Sequence, residues 1–397
     1  MEKVDFLIIG AGAAGVFAAI CIKQRNPNFR VVVLEKTNSP LAKVRVSGGG
    51  RCNVTHNCFN PRELVKNYPR GAKELLGPFY TFNPTHMIEW LKNKGVELHI
   101  ENDNRMFPVT NSSQTIIDCL LSEAKKLDVE LILKCDVVAV LKENDFLVTT
   151  KKDDQYLAKS LLLATGSNKL GHNIALHLGH TIDPLLPSLF TFNTPSSPLL
   201  SLSGISLPDV ELKVEKKSQR GPLLLTHFGF SGPCAIKLSA WVAPQLFAKE
   251  YQSTLFVNWL PNLSEDEIAK ELFQAKAANK EKQISTLNPF SLPKKLWLKF
   301  IDALPQIMRD ISDRDLRKLS AKLHSDSYKI EGKTTNKEEF VTCGGVNLKE
   351  VNFKTMESKI VNKLYFAGEI LNIDGITGGF NFQNAWTTAY LTALQSD

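Results

Sequence analysis

The stretch DFLIIGAGAAGVFAAI, Asp5–Ile20, decides how this chain is read. Its opening apolar run predicts a short strand buried on both faces. Glycines follow at 10, 12 and 15, and helix-forming residues begin at Ala13. A second β-branched run, RVVVLE (Arg30–Glu35), completes a strand–turn–helix–strand unit long enough for a parallel crossover. In G-x-G-x-x-G the glycines allow a tight turn, close backbone approach to a pyrophosphate and close helix packing. The helix N-terminus offers unpaired N–H groups and a partial positive charge to the phosphates. Glu35, 20 residues after Gly15, closes the second strand, where a carboxylate accepts from ribose hydroxyls and repels a 2′-phosphate. Gly10, Gly12, Gly15 and Glu35 therefore predict an α/β, Rossmann-like dinucleotide site.

The bulk numbers set bounds. A chain of 397 residues exceeds what one core usually serves, so two or three domains are expected. Composition is globular, at 43% hydrophobic and 22% charged. No apolar run approaches the roughly 18–20 residues of a membrane span. The start, MEKVDFLIIGAG, lacks the parts of a signal peptide, and a cytoplasmic protein without membrane association is expected. Seven cysteines, an odd and scattered number without C-x-x-C, argue against a disulfide framework and a dithiol centre. The net charge of +7 suits nucleic acid or a phosphorylated cofactor and proves neither. Neither G-x-S-x-G nor H-E-x-x-H occurs, which leaves a hydrolase unsupported.

Further along, VELIL and DVVAVLKENDFLVTTKK read as strands of a meander, and SLLLATGS (Ser160–Ser167) as a buried strand ending in glycine. From about Pro187 the texture changes to short alternating runs punctuated by proline and serine. After Leu260 it turns helical: Ser264 and Glu267 form a capping box, and LPKKLWLKFIDALPQIMRDI and DRDLRKLSAKL are amphipathic. The nucleotide-binding vocabulary then returns. We expect a discontinuous cofactor domain over 1–186 and 338–397, a β-barrel-like insert over 187–260 and a helical part over 261–337.

That return favours FAD over NAD. LYFAGEILNIDGITGGF places Gly368-Glu369 after a strand and Gly378-Gly379 at the start of a helix. A helix N-terminus beside a flavin ring stabilises the negative charge of its reduced form.

The set IIGAGAAG, SGGGRCNVT, NRMFP, LLLATGS, LTHFGFSGP, VTCGGV, TMESK and LYFAGEILNIDGITGGFNFQNAW resembles the bacterial BaiN/YhiN-type flavoproteins, NAD(P)/FAD-dependent oxidoreductases, in order over nearly the whole chain. The resemblance implies an FAD-binding, glutathione-reductase-type Rossmann domain interrupted by a β-barrel plus helical module. It implies FAD contacts from Gly10, Gly12, Ala13, Ala14, Gly15, Glu35, Lys36, Arg51 and Thr165, and from Gly166, Gly368, Asp374 and Gly379. Lys43 fits the family's K-x-x-x-SGGGRCN pattern. Gly50, Glu369 and Phe380, which lie in the same motifs, complete the expected cofactor set. Two departures stand out: ATGSNK replaces the family's usual ATGG and a longer loop, and Asn104 replaces the glycine of GRxFP.

Members of that family are associated with reducing carbonyl-conjugated C=C bonds, in steroid-like enones and in uracil rings of ribosomal RNA. The implied chemistry is hydride transfer from flavin N5, with NAD(P)H as electron source. A general acid must then deliver a proton. Cys52 either packs beneath the glycines or donates that proton, its thiol tuned by Arg51. His227 is an alternative acid or oxyanion donor, and Arg105 fixes an anionic substrate or sits in an ion pair. No metal is expected: Cys52, His56 and Cys58 lack a fourth ligand, and His172, His177 and His180 lack acidic or cysteine partners. The function expected first is reduction of a carbonyl-conjugated C=C bond of a small enone; the alternatives are an FAD-dependent amine oxidase, a uridine reductase acting on ribosomal RNA and, least favoured, a non-catalytic FAD-stabilised scaffold. In the uridine reductase, basic clusters at 213–220, 294–299 and 314–322 would grip RNA. The oligomeric state is not legible.

Overall fold

The computed structural model describes residues 1–335 and 341–395. They form two compact units, one of residues 1–186 with the chain from Val341 onward, the other beginning at Pro187. The boundary expected at 337/338 lies outside the described residues.

The first unit is built on a nine-stranded sheet whose centre is parallel. In spatial order the parallel strands are Leu364–Phe366, Gln155–Leu163, Glu2–Ile9, Val31–Leu34 and Glu130–Ile132. Leu7, Ile8 and Val31–Leu34 are buried, which is why these runs are apolar without alternation. The helix Ala13–Arg25 makes the first crossover, and the terminal helix Phe380–Thr392 packs beside it, Trp386 edge-on to Phe17 with ring centroids 5.6 Å apart. One sequence expectation is corrected here. VELIL is no part of a meander: Glu130–Ile132 runs parallel to Val31–Leu34, because a short apolar run carries no information about its partner. Val137–Lys142 and Phe146–Thr150 do form a hairpin, joined antiparallel to the start of Gln155–Leu163. A small sheet of Thr55–His56, Arg105–Pro108 and Leu98–Ile100 completes the unit's site-bearing parts.

In the second unit, seven strands follow the order Asp326–Glu331, Gln252–Asn258, Ser206–Val214, Lys217–Leu225, Gly229–Ser231, Thr191–Asn193, Lys333–Thr334. Its first and last members are successive in the chain, separated by Gly332 alone, so the sheet curls back towards itself as a barrel does. Two features differ from the sequence reading. Gly232–Ala248, inside the part read as β, is a 17-residue helix opened by Pro233. The strands at 326–334 fall inside the part read as helical and return to complete the sheet. The capping box stands: Ser264 Oγ accepts from Glu267 N at 3.3 Å, and Ser264 N donates to Glu267 Oε2 at 2.8 Å.

Candidate active site

The first strand ends at Gly10, whose φ of +107° disfavours any side chain. A Cβ there would lie 2.5 Å from the Ala164 carbonyl oxygen, and one on Gly15 only 1.9 Å from that of Gly10. Both glycines are therefore required by the protein's own packing. Gly12 differs: nothing lies within 4 Å of its Cβ position. It caps the Ala13–Arg25 helix without a side-chain hydrogen bond, and no acidic residue occupies the first turn. The backbone there is open to a ligand, and the helix's positive end faces it. Glu35 reaches the same turn, accepting from Ala11 N at 3.0 Å and from Thr37 N and Oγ1 at 2.8 Å.

Two more turns arrive at this place. Gly368 packs against the helix start, its Cβ position 3.1 Å from Ala14 Cβ. Gly166 abuts Glu369, its Cβ position 3.4 Å from Oε2. Glu369 takes an ion pair from Lys43 and a 3.2 Å hydrogen bond from Thr342 N, and Lys43 also approaches Ser167 Oγ at 3.4 Å. Thr165 Oγ1, at the same turn, is buried with no hydrogen-bond partner among the described residues. An open cradle at Gly12, an uncapped helix N-terminus and a poised carboxylate fit the diphosphate and ribose of a dinucleotide, whereas Thr165 Oγ1 is packed against Gly171. Lys36 stands aside, its Nζ 3.5 Å from Asp136 Oδ1.

The segment SGGGRCNVTH is bound to the terminal helix. Gly48, Gly49 and Gly50 take φ of 57°, 69° and 82°, a left-handed run that side chains resist, and Gly49 and Gly50 are exposed with nothing near their Cβ positions. With its amide oriented to satisfy both neighbours, Asn53 accepts from Gly379 N at 2.9 Å and donates to Thr55 O at 3.0 Å. Trp386 Nε1 donates to Val54 O at 3.0 Å. His56 stacks on Phe380 with ring centroids 4.6 Å apart. Sequence reasoning missed Asn53, Thr55 and Gln383 as the joint here; their polarity within an apolar, glycine-rich context was the available signal.

The expected catalytic residues fare differently. Cys52 is buried, and burial pushes its thiol up to about 12, the opposite of a tuned proton donor. Arg51 does not tune it: its guanidinium donates to Glu101 Oε1 at 2.5 Å and lies 4.1 Å from the centroid of Phe107. Arg105 donates to the other oxygen of Glu101 at 3.0 Å and flanks Phe107 at 5.3 Å. Glu101 and Phe107, unnoticed in the sequence, thus organise both arginines. Asp374 is fully buried and both its carboxylate oxygens bind Arg70, so its side chain serves that pair. His227 belongs to the second unit, exposed in the turn at Thr226–Gly229 and against Phe228. His172 lies between the carbonyl oxygens of Asn168 and Ile370, and His180 bonds Ser358 Oγ at 2.7 Å, so both are engaged within the core.

Residues 4–395 match the family model described as the HI0933-like protein Rossmann domain. The chain belongs to this family. It is an FAD-dependent oxidoreductase with an FAD-binding Rossmann fold. Among characterised relatives it is 31% identical to the ribosomal RNA dihydrouridine synthase of Haemophilus influenzae, over 98% of this chain and 97% of that protein. The 3-dehydro-bile acid delta(4,6)-reductase of Clostridium scindens is 24% identical, covering 97% of each. Among solved structures, 3-ketosteroid delta1-dehydrogenase from Sterolibacterium denitrificans aligns with all of this chain and 99% of its own at a TM-score of 0.53 and 11% identity, a likeness of fold. No helix among the described residues is long and apolar enough to cross a membrane.

Proposed function

We propose that the protein reduces the C5=C6 bond of a uridine in ribosomal RNA, in the cytoplasm, with FAD held by the converging glycine turns and NAD(P)H as electron donor. The observation that carries this reading is the 31% identity, over 98% of the chain, to a protein named ribosomal RNA dihydrouridine synthase. Its Escherichia coli namesake, 29% identical over 99% of this chain, supports it. The uracil C5=C6 bond is conjugated to the C4 carbonyl, so its reduction belongs with that of the enones named for the bile-acid relative.

When bound, FAD supplies the hydride. The chain's own part is binding and electrostatics. Backbone N–H groups at Gly12–Ala14 bind the diphosphate and Glu35 the ribose hydroxyls. Lys43 is steered by Glu369, and Arg51, fixed by Glu101, sets the wall at the exposed glycines. The positive end of Phe380–Thr392, carrying no acidic residue in its first turn, favours negative charge beside it. NAD(P)H returns the hydride to FAD, and the proton that completes the reduction at C5 is taken from solvent water; Cys52 packs under the loop and does not deliver it in this reading.

The test is direct. Purified FAD-loaded protein is given NAD(P)H with protein-free ribosomal RNA or with a 3-keto-4-ene steroid. Dihydrouridine in the RNA, found by mass spectrometry, supports the proposal. Steroid reduction without dihydrouridine transfers the function to small enones.

A further inference from the structure

A second surface lies on the outer face of the sheet in the inserted unit. Across four adjacent strands the register places Ser218, Lys213, Phe256 and Ser327 in one row. The alternation is clear: Leu212, Val214, Leu255, Val257 and Tyr328 are buried, whereas Lys213, Phe256 and Ser327 face solvent. Phe256 remains 38% exposed in the middle of this polar row. It lines a concave space of about 380 Å³ with Lys213, Lys216, Asn258, Glu211 and His324, at the small end of ligand-sized cavities.

The order of charges along the strands is informative. Lys213 is the direct cross-strand partner of Phe256, and Lys216 lies in the turn on one side of the row, past Val214. Glu211 lies opposite Asn258 in the row on the other side. The aromatic face thus has one lysine beside it, a second lysine on one side of its row and the acceptor-bearing Glu211 on the other. One nucleotide has that layout: phosphate, a flat base, and base-edge N–H donors.

We infer that this face binds single-stranded RNA, one base stacking on Phe256, its phosphates beside Lys213 and Lys216, and its edge towards Glu211. This rests on the ribosomal-RNA reading for the origin of the strand. Stacking on an aromatic ring tolerates any base, so the face holds RNA without selecting the target uridine.

The experiment measures fluorescence anisotropy of a fluorescein-labelled single-stranded oligouridine with the full chain across a salt series. F256T, which keeps a strand former at an exposed position, weakens binding about ten-fold, and K213A/K216A lowers the salt slope by about 1.4. F256W retains the affinity, and its added fluorescence is quenched by the RNA. Wild-type affinity in F256T, an unchanged salt slope in K213A/K216A, or no quenching in F256W overturns the inference and leaves the face to a protein partner. The outcome is separable from that of the proposed function. Dihydrouridine formed by a protein whose F256T variant binds RNA normally removes only this surface. Weakened oligouridine binding without dihydrouridine formation removes only the proposed reaction.

Discussion

Thr55 Oγ1 donates a 2.6 Å hydrogen bond to Oε1 of Gln383, both side chains fully buried. Gln383 Nε2 passes the chain on to Thr387 Oγ1 at 3.0 Å, which donates to Phe82 O at 2.9 Å. This line of polar groups holds the end of the SGGGRCNVTH segment to the terminal helix. T55V keeps the shape but orphans a buried acceptor, so we expect a loss of about 1–3 kcal/mol in urea denaturation. Unchanged stability would mean that the contact is dispensable.

Gly12 and Gly15 separate ligand space from packing space. G15A forces a Cβ against the Gly10 carbonyl oxygen, and overpacking of this kind costs about 1–3 kcal/mol or more. G12A meets nothing in the protein. It should unfold with the stability of the FAD-free wild type yet purify colourless, read by flavin absorbance. A yellow G12A protein would place the pyrophosphate elsewhere.

Arg70 is the partner that Asp374 requires. R70A leaves a buried carboxylate without its bidentate cation and should cost about 3–5 kcal/mol. R70K should recover part of this, since an ammonium carries the charge but not the fork. Equal stability of R70A and wild type contradicts the pairing.

Burial holds His172 and His180 below the ordinary histidine value of 6.5. The unfolded chain therefore takes up protons below pH 6.5 that the folded chain resists, and stability falls as pH drops through that value. H180N should flatten this acid limb in denaturation series between pH 8 and 5. An identical slope would show that His180 does not contribute.

Cys52, buried with its thiol near 12, should resist iodoacetamide in the folded protein, and C52A should retain most of the NAD(P)H-driven reduction of substrate. Loss of substrate reduction with flavin reduction intact would restore it as the proton donor.

The parallel core and its glycine turn were legible because motif spacing, a continuous apolar run and Glu35 all point one way. The insert was harder. Gly232–Ala248 is apolar on most sides, so it lacks the one-faced pattern that marks a surface helix. Asp326–Glu331 follows a helix directly and alternates for only six residues. At the site, spacing alone predicted the turn at Gly10, Gly12 and Gly15, while Gly166, Gly368 and Gly379 were expected from the family resemblance. The pairings of Arg70 with Asp374 and of Arg51 with Glu101 join residues far apart in the chain, and nothing local in the sequence records them, whereas Arg105 meets Glu101 only four residues away. Of the two roles expected for Cys52, the tuning of its thiol by Arg51 could not be judged from adjacency in sequence, since Arg51 points to Glu101.

The most direct measurement is mass spectrometry of ribosomal RNA from cells lacking this gene. The account predicts that dihydrouridine disappears from a defined position and returns with the wild-type gene but not with G12A. Dihydrouridine persisting at every position in the deletion strain would contradict it.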